Sequence, residues 1–504
     1  MGSGASPSRA SSEGQGLFAG FAWMVVAGLL VKAAALGAHI VLGWLLSPTD
    51  FGLYALAAGL YVLLQALQSG GVRVALVTKG RDAAARELKN ALLVSAATHV
   101  TIASVLWVGA PTAASIYREP PLIPLLRIMA VAVALNVVWV VGGAVLQNGQ
   151  QFRRLAGIEL ADGVAKAVLT IVFAASGLGA MSLVLPLPIL ALFRMLAGLQ
   201  AIVREWNPEQ LPARKAGRLA RDGGWIVAAT LAHALLTQGD YLGLGIGLST
   251  SLLGIYYFAY QVPGQLGSLL AVKLGDVLVP GLVARRDSGR AGDLVEMTIA
   301  QLTAALTLVG CVLAATFPYL EAILWQGRWE AAVAPAQALS LLLVLRLLHM
   351  VPKSMMQAQR RFAELFVWTL LAGVGLLGVA AVVGVLTTNM TVVATVLGTY
   401  LAVVTLLFLI VALRSTSTDV GSSLRRVTWT WGLSTGITVS VIVTQDALPA
   451  VNPWIAAPTV GALTGGLVIG SWRLLAPSAY IAFRSILRRA KGLATEVYPW
   501  RRSG

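Results

Sequence analysis

The sequence predicts an all-α, polytopic membrane protein with about fourteen transmembrane helices, built as two six-helix lobes related by a parallel internal repeat plus two C-terminal helices. Of its 504 residues, 57% are hydrophobic and only 12% are charged, and the mean hydropathy is +0.80. A soluble surface needs far more charge. Apolar runs long enough to cross a hydrocarbon core of ~30 Å recur along the chain. A short internal repeat in the sequence also supports this fold class.

The repeat has the pattern Gly-x-x-Leu-Ser-x4-Gly-[Leu/Ile]-Tyr, which begins at Gly43 and again at Gly245. A second pattern, Gln-x4-Phe, begins at Gln147 and again at Gln357. Both patterns fall at matching points of two successive blocks of six apolar segments. Many membrane transporters are built from such repeats, with the substrate site between the halves.

Fourteen apolar segments are predicted to span the membrane as helices. Several are longer than the ~20 residues that a perpendicular helix needs, so these helices tilt or extend past the bilayer. In chain order they cover roughly 16–46, 51–77, 90–116, 123–147, 158–176, 179–203, 222–248, 251–280, 294–324, 332–356, 363–387, 390–413, 426–445 and 453–475.

The distribution of Lys and Arg orients these helices. Nearly all cations in the loops and at the helix ends lie on the side of the N-terminus, whereas the opposite side holds only Arg118, Arg127 and Arg328. Because cytoplasmic loops are enriched in Lys and Arg, both termini are predicted to be cytoplasmic in a multi-pass protein of the cytoplasmic (inner) membrane. The net charge of +16 therefore reflects topology and does not indicate nucleic-acid binding.

The predicted domains follow from these segments and from the polar stretches between them. The last one is amphipathic and basic, which is typical of a helix on the anionic inner leaflet. In order the domains are a disordered cytoplasmic tail (1–15), an N-lobe (16–204), a cytoplasmic linker (205–221), a C-lobe (222–414), helices 13 and 14 (415–475) and a cytoplasmic tail (476–504).

Several classes of chemistry have no matching motif. The sequence contains no GxxxxGK[ST] loop, no HExxH, no CxxC and no His/Cys cluster with metal-ligand spacing. Cys311 is the single cysteine, so no intramolecular disulfide forms. The loops are too short for a soluble catalytic domain. The sequence therefore predicts neither an enzyme nor a cofactor or metal site.

Ionisable groups inside the predicted helices are the candidate functional residues, because each costs on the order of 3 kcal/mol to insert. Lys32, Arg194 and Arg346 lie near helix centres, too deep to snorkel easily, while Arg73 and Lys273 lie nearer the cytoplasmic ends. This excess of cations favours an anionic substrate, such as a diphosphate or an acidic sugar. We therefore predict these five as substrate-binding residues.

The acids and one histidine in the helices are the candidates for ion coupling. We assign this role to Asp240, Asp276 and His349, the last being one turn from Arg346. Simpler interpretations are local pairs, with Asp276 paired to Lys273 and Asp162 paired to Lys166 on the same helix. Eight tryptophans near helix ends predict an interfacial belt: Trp44, Trp225, Trp325, Trp329, Trp429, Trp431, Trp454 and Trp472.

Four stretches together resemble a known family. They are Leu45-Leu46-Ser47-Pro48-Thr49-Asp50-Phe51-Gly52-Leu53-Tyr54, Tyr117-Arg118-Glu119-Pro120 with Leu122, Gly239-Asp240-Tyr241-Leu242-Gly243-Leu244-Gly245 continuing through Leu253-Gly254-Ile255-Tyr256-Tyr257, and the surroundings of Trp329. Over most of helices 1–12 the chain resembles the bacterial polysaccharide transporters, the Wzx-like flippases of the multidrug/oligosaccharidyl-lipid/polysaccharide flippase superfamily. It departs from that family in the Gly-rich run after Asp240.

The resemblance implies two six-helix lobes that face each other across a cavity opening alternately to each side. It also implies that polyprenyl-diphosphate-linked oligosaccharide repeat units move from the inner to the outer leaflet, for exopolysaccharide, O-antigen or capsule assembly, alongside a polysaccharide polymerase and export proteins. The alternatives are a peptidoglycan lipid-precursor flippase, or a cation drug antiporter, which a cation-rich lumen disfavours. A membrane-embedded glycosyltransferase or polymerase would need a larger outer loop.

Overall fold

The computed structural model describes residues 7–69, 71–78, 81–206, 216–284, 291–414, 419–446 and 452–497, and all regular secondary structure in these ranges is helical. This confirms the predicted all-α class. The helices are α1 Pro7–Leu45, α2 Pro48–Ser69, α3 Gly71–Thr78, α4 Arg81–Tyr117, α5 Leu122–Leu135, α6 Val137–Asn148, α7 Phe152–Ala175, a 3₁₀ helix Gly179–Leu183, α8 Pro186–Glu205, α9 Ala216–Gly247, α10 Thr250–Ala284, α11 Ala291–Trp325, α12 Glu330–Leu341, α13 Leu343–Leu347, α14 Met350–Ala358, α15 Phe362–Leu386, α16 Met390–Leu413, α17 Val420–Asp446, α18 Pro453–Leu475 and α19 Pro477–Val497.

The chain divides into two compact units. Unit 1 comprises Met1–Gly254 with Gly373–Val385, and unit 2 comprises Ile255–Ala372 with Leu386–Gly504. Within unit 1, α1 packs along α7, α2 along α9 and α4 along α5. Within unit 2, α11 is the central helix and contacts α12, α17, α18 and α19.

By length and composition, nine helices in the described part of the chain can cross a membrane, and eleven spans result if each of two bent helix pairs is one span. The pairs are α5–α6, bent by 44°, and α12 with α13–α14, bent by 55°. The predicted segments 158–176, 222–248 and 251–280 coincide with α7, α9 and α10, and no such span is found among the residues of these three helices that the structure describes. The chain is thus a multi-pass membrane protein, but the predicted count of fourteen is not confirmed.

Helix α1 begins at Pro7, inside the predicted tail 1–15, and proline is suited to the first helical turn, where its missing N–H has no helical acceptor. The division of the chain into tails, lobes and linker stays a prediction. Residues 1–6 and linker residues 207–215 lie outside the described part of the chain.

The tryptophan belt is also only partly present. Trp325, Trp329 and Trp472 are at most 1% exposed, so these three pack inside the protein instead of lying at an interface. Phe258 stacks on Trp329, with ring centroids 3.7 Å apart, and meets Trp325 edge-on. Trp44, Trp429 and Trp454 are exposed, as a belt requires, and the Trp225 side chain lies outside the described residues.

The second sequence repeat recurs as the same backbone turn. Gln150 and Arg360 both have left-handed backbones, with φ of 53° and 58°. Their N–H groups donate to Gln147 and Gln357, each across 3.1 Å. The helices that end here, α6 and α14, are the second halves of the two bent pairs. The internal repeat is therefore visible in local structure within each unit.

The first repeat forms a helix crossing within unit 1. A Cβ atom on Gly52 would lie 1.8 Å from the Thr250 carbonyl oxygen, and one on Gly254 would lie 1.7 Å from the Pro48 carbonyl oxygen. Only glycine permits so close an approach of two backbones. The Thr250 hydroxyl donates to Glu119 Oε1 across 3.0 Å beside the crossing. The repeated glycines thus allow the starts of α2 and α10 to pack together.

Candidate functional site

An ion pair joins α7 and α8 within unit 1. Arg194 Nε lies 3.2 Å from Asp162 Oδ1, and the two side chains are 24% and 20% exposed. Both atoms are buried, yet neither has a hydrogen-bond partner, because the contact is close without being aligned. The Nε–H of Arg194 is therefore available to an anionic acceptor.

Two polar residues of α2 belong to the same cluster. Gln65 Nε2 donates to the Tyr61 hydroxyl across 3.1 Å. Tyr61 is 8% exposed and interacts electrostatically with both Arg194 and Asp162. We name Tyr61, Gln65, Asp162 and Arg194 the Arg194 cluster. It contains a guanidinium, a phenol and an amide, which are groups that hydrogen-bond phosphates and sugars.

Lys32 lies at the same depth in unit 1 as the Arg194–Asp162 ion pair. Its neighbour Val31 packs on Gly163, the residue after Asp162, so tightly that a Cβ on this glycine would lie 2.6 Å from Val31. Lys32 is half-buried on α1. Arg73 lies on α3, where its guanidinium covers Gly143 of α6, with the carbon Cζ 3.6 Å from the place a Cβ would occupy.

Arg346 belongs to unit 2 and is held just after the bend between α12 and α13. Its guanidinium carbon lies 4.3 Å from the centroid of the Tyr260 ring, a cation–π contact. His349 Nδ1 lies 2.7 Å from the Arg346 carbonyl oxygen. We name Tyr260, Arg346 and His349 the Arg346 cluster. The histidine is thus anchored to the backbone of the arginine with which it was predicted to share a face.

The remaining candidates are on α9 and α10. Asp240 is fully buried in α9, and its Oδ1 accepts the N–H of Tyr241 across 3.0 Å. Lys273 and Asp276 belong to α10, but their side chains lie outside the described residues.

Sequence reasoning missed the partner of Arg194. The helical spacing suggested that Asp162 pairs with Lys166, but Lys166 is exposed and the ion pair goes to Arg194 on the next helix. An acid inside a predicted spanning helix was the available signal, whereas its partner depends on packing between helices. In the described residues no group of three or more His, Cys, Asp or Glu side chains is placed to hold a metal ion.

Comparison with known proteins gives a family match and a fold match. The model of a family described as polysaccharide biosynthesis protein matches residues 41–334. No curated protein sequence matches the chain.

Among solved structures, one of the lipid II flippase MurJ in an inward closed conformation has a TM-score of 0.68 at 10% identity, over 89% of this chain and 98% of that one. An inward-facing multidrug resistance MATE family transporter of the MOP superfamily has a TM-score of 0.53 at 15% identity, over 80% and 95%. A single-residue mutant of the Vibrio cholerae MATE transporter VcmN has a TM-score of 0.52 at 13% identity, over 81% and 98%. At these identities the likeness concerns the fold, which is that of these transporters.

Proposed function

The chain belongs to the polysaccharide biosynthesis protein family, and from that premise we propose that it is a flippase for lipid-linked oligosaccharides. It moves polyprenyl-diphosphate-linked repeat units from the inner to the outer leaflet of the cytoplasmic membrane, for exopolysaccharide, O-antigen or capsule assembly. A polysaccharide polymerase and export proteins receive the product. Both termini are cytoplasmic in this proposal, as the loop cations predict.

The observation that carries the proposal is a set of cations inside apolar helices, in a member of this family. The Arg194 and Arg346 clusters each hold a guanidinium on a membrane-embedded helix. Such groups mark substrate pathways, because an isolated buried charge is costly. Guanidinium groups bind diphosphates through charge-assisted, often bidentate hydrogen bonds.

The mechanism is alternating access. The diphosphate and glycan enter a cavity that is open to the cytoplasm, while the polyprenyl tail stays in lipid. Lys32, Arg194 and Arg346, with Arg73 and Lys273, replace the hydration and counterions that the headgroup loses. Two repeated halves then rock around the bound headgroup.

The step is driven either by ion coupling or by consumption of the product outside. The candidate coupling groups are Asp240, Asp276 and His349. Imposing proton or sodium gradients of either direction on reconstituted vesicles separates the two cases, since only ion coupling makes the flipping rate depend on the gradient.

The test is transport in proteoliposomes that contain a fluorescent polyprenyl-diphosphate oligosaccharide. The Arg346→Ala variant should flip the headgroup at least about tenfold more slowly, because a charge-assisted contact contributes about 1.5–3 kcal/mol. Arg473→Gln, which removes an exposed cation of α18, is the matched control and should retain the parent rate. Normal flipping by Arg346→Ala would remove Arg346 from the mechanism.

A second candidate is a flippase for a peptidoglycan lipid precursor, which the fold similarity to the lipid II flippase MurJ favours. The same vesicles loaded with lipid II separate the two, since the better substrate is the one flipped faster at equal concentration. Absence of flipping for both lipids, with new glycosidic bonds in the product, would instead identify a glycosyltransferase or polymerase.

A further inference from the structure

The Arg194–Asp162 contact has features that a purely structural ion pair lacks. The two charges approach to 3.2 Å, but within the described part of the chain the buried atoms Arg194 Nε and Asp162 Oδ1 have no hydrogen bond to each other or to any other group. A permanent pair in an apolar setting usually gains aligned, bidentate hydrogen bonds, which offset the cost of removing both charges from water. Here the carboxylate lies close to Arg194 Nε without an aligned hydrogen bond to it.

A carboxylate and a phosphate bind a guanidinium in the same way, through two parallel N–H···O bonds. Asp162 therefore occupies the position relative to Arg194 that a phosphate group of a substrate would take. Both cannot hold the same guanidinium edge at once. An anion that binds this edge of Arg194 must displace Asp162.

We propose that Asp162 is an internal counterion that stands in for the substrate diphosphate at Arg194 and takes up one proton when an anion displaces it. This inference rests on the proposed function, since it assigns a second residue to the same anion-binding step. Two anions beside one cation cannot both remain charged at low cost. The displaced carboxylate therefore binds a proton from solution at Oδ1, and releases it when the anion leaves and the ion pair re-forms.

The other charged groups around Asp162 leave this assignment intact. Arg194 on α8 and Lys166 on α7 are the cations that act on it, and Lys166 is exposed and so well screened by water. Lys32 on α1 is half-buried at the same level, Tyr61 approaches from α2, and Glu159 lies one turn earlier on α7 and is exposed. The described parts of α6 and the 3₁₀ helix, which also pack on α7, carry no charged residue.

Calorimetric titration of the full-length protein in detergent with inorganic pyrophosphate tests the proposal. Repeating the titration in buffers of different ionisation enthalpy gives the number of protons taken up, which we expect to be about one per pyrophosphate bound. Since the complex holds the extra proton, pyrophosphate affinity rises as pH falls. This measurement uses the unaltered chain and does not depend on the folding of any variant.

Asp162→Asn removes the competing charge at nearly constant shape. If Asp162 holds Arg194 in nine-tenths of free molecules, the variant binds pyrophosphate about tenfold more tightly and without proton uptake. Glu159→Gln is the matched control, because it removes the same charge from an exposed site on α7, and it should bind as the parent does. In an Arg194→Gln background, Asp162→Asn should change nothing, since the aspartate acts through Arg194.

Three results would overturn the proposal: no pyrophosphate binding by the parent, no proton uptake on binding, or an Asp162→Asn variant that binds no more tightly than Glu159→Gln. The flipping assay reports separately on the proposed function. A parent chain that binds pyrophosphate with proton uptake but flips no lipid-linked glycan would contradict the flippase proposal. The role of Asp162 as an internal counterion of Arg194 would still hold.

Discussion

At the residue scale, the smallest side chain sets how closely α2 and α10 approach. The distances of 1.8 Å at Gly52 and 1.7 Å at Gly254 are measured from a hypothetical Cβ to backbone oxygen, which cannot move aside as a flexible side chain does. Gly28 of α1 is a useful contrast, because nothing lies within 4 Å of the place its Cβ would occupy.

Replacing Gly52 or Gly254 with alanine should destabilise the protein by about 3 kcal/mol or more, since the two helices must separate. Gly28→Ala should be neutral or raise the stability by about 0.4–1 kcal/mol, because alanine lowers the entropy of the unfolded chain. Thermal unfolding in detergent measures all three. Equal stabilities for Gly52→Ala and Gly28→Ala would contradict the observed crossing.

The sequence identifies some of these residues but not their partners. Repetition singled out Gly52 and Gly254, because two copies of one pattern are visible without any structure. Asp162 was recognised as an acid at depth, yet its partner Arg194 follows only from the packing of α7 on α8. The burial of Trp329 was missed for the same reason, since a tryptophan near a helix end looks alike whether it faces lipid or the core.

At the element scale, Asp50 joins two helix starts within unit 1. Its Oδ2 accepts the N–H and the hydroxyl of Ser47 across 2.9 and 2.6 Å, which caps α2. Its Oδ1 accepts the N–H of Ala180 across 2.8 Å, in the 3₁₀ helix. Gly179 has φ of +53° and a Cβ there would lie 2.7 Å from Asp50 Oδ1, so glycine is required beside the carboxylate.

Asp50→Ala should lower stability by about 2–3 kcal/mol, because three hydrogen bonds to a carboxylate are lost together. Asp82→Ala, which removes an exposed acid from the first turn of α4, should lower it by less than about 1 kcal/mol. Unfolding of the two purified variants in the same detergent makes the comparison. A loss at Asp50 no larger than that at Asp82 would show that this carboxylate does not tie the elements together.

The helices were predictable as elements, whereas their bends were not. Each apolar segment predicted from the sequence coincides with one helix or with successive helices. The break between α5 and α6 falls at Asn136, where neither proline nor glycine marks it. The Asn136 amide donates to the Ala132 carbonyl oxygen across 3.1 Å, a local bond that competes with helix continuation but has no unique sequence signature.

At the scale of the whole molecule, the distribution of cations between loops predicts which face is cytoplasmic. Asp82, after the second predicted span, should then lie inside, and Thr388, after the eleventh, outside. Both are exposed. The single native thiol, Cys311, is 1% exposed, so a thiol reagent should label the parent chain very little.

In intact cells a membrane-impermeant maleimide should label Thr388→Cys and spare Asp82→Cys, and inverted vesicles should give the reverse. The parent chain, with Cys311 alone, should stay unlabelled in both preparations. Labelling of both variants from the same side would mean an even number of crossings between them, and would refute the predicted arrangement of spans.

The crossing at Gly52 and Gly254 has the form of a contact between identical copies. Gly52 meets Thr250 and Gly254 meets Pro48, and in the repeat Gly52 corresponds to Gly254 as Pro48 corresponds to Thr250. Each surface thus pairs with its own counterpart, as in an isologous interface of a two-fold dimer. In a dimer, each of two subunits would contribute one of these two surfaces, whereas here one chain carries both. If the gene arose by duplication from an ancestor that formed such a dimer, this contact was already present in the ancestral interface.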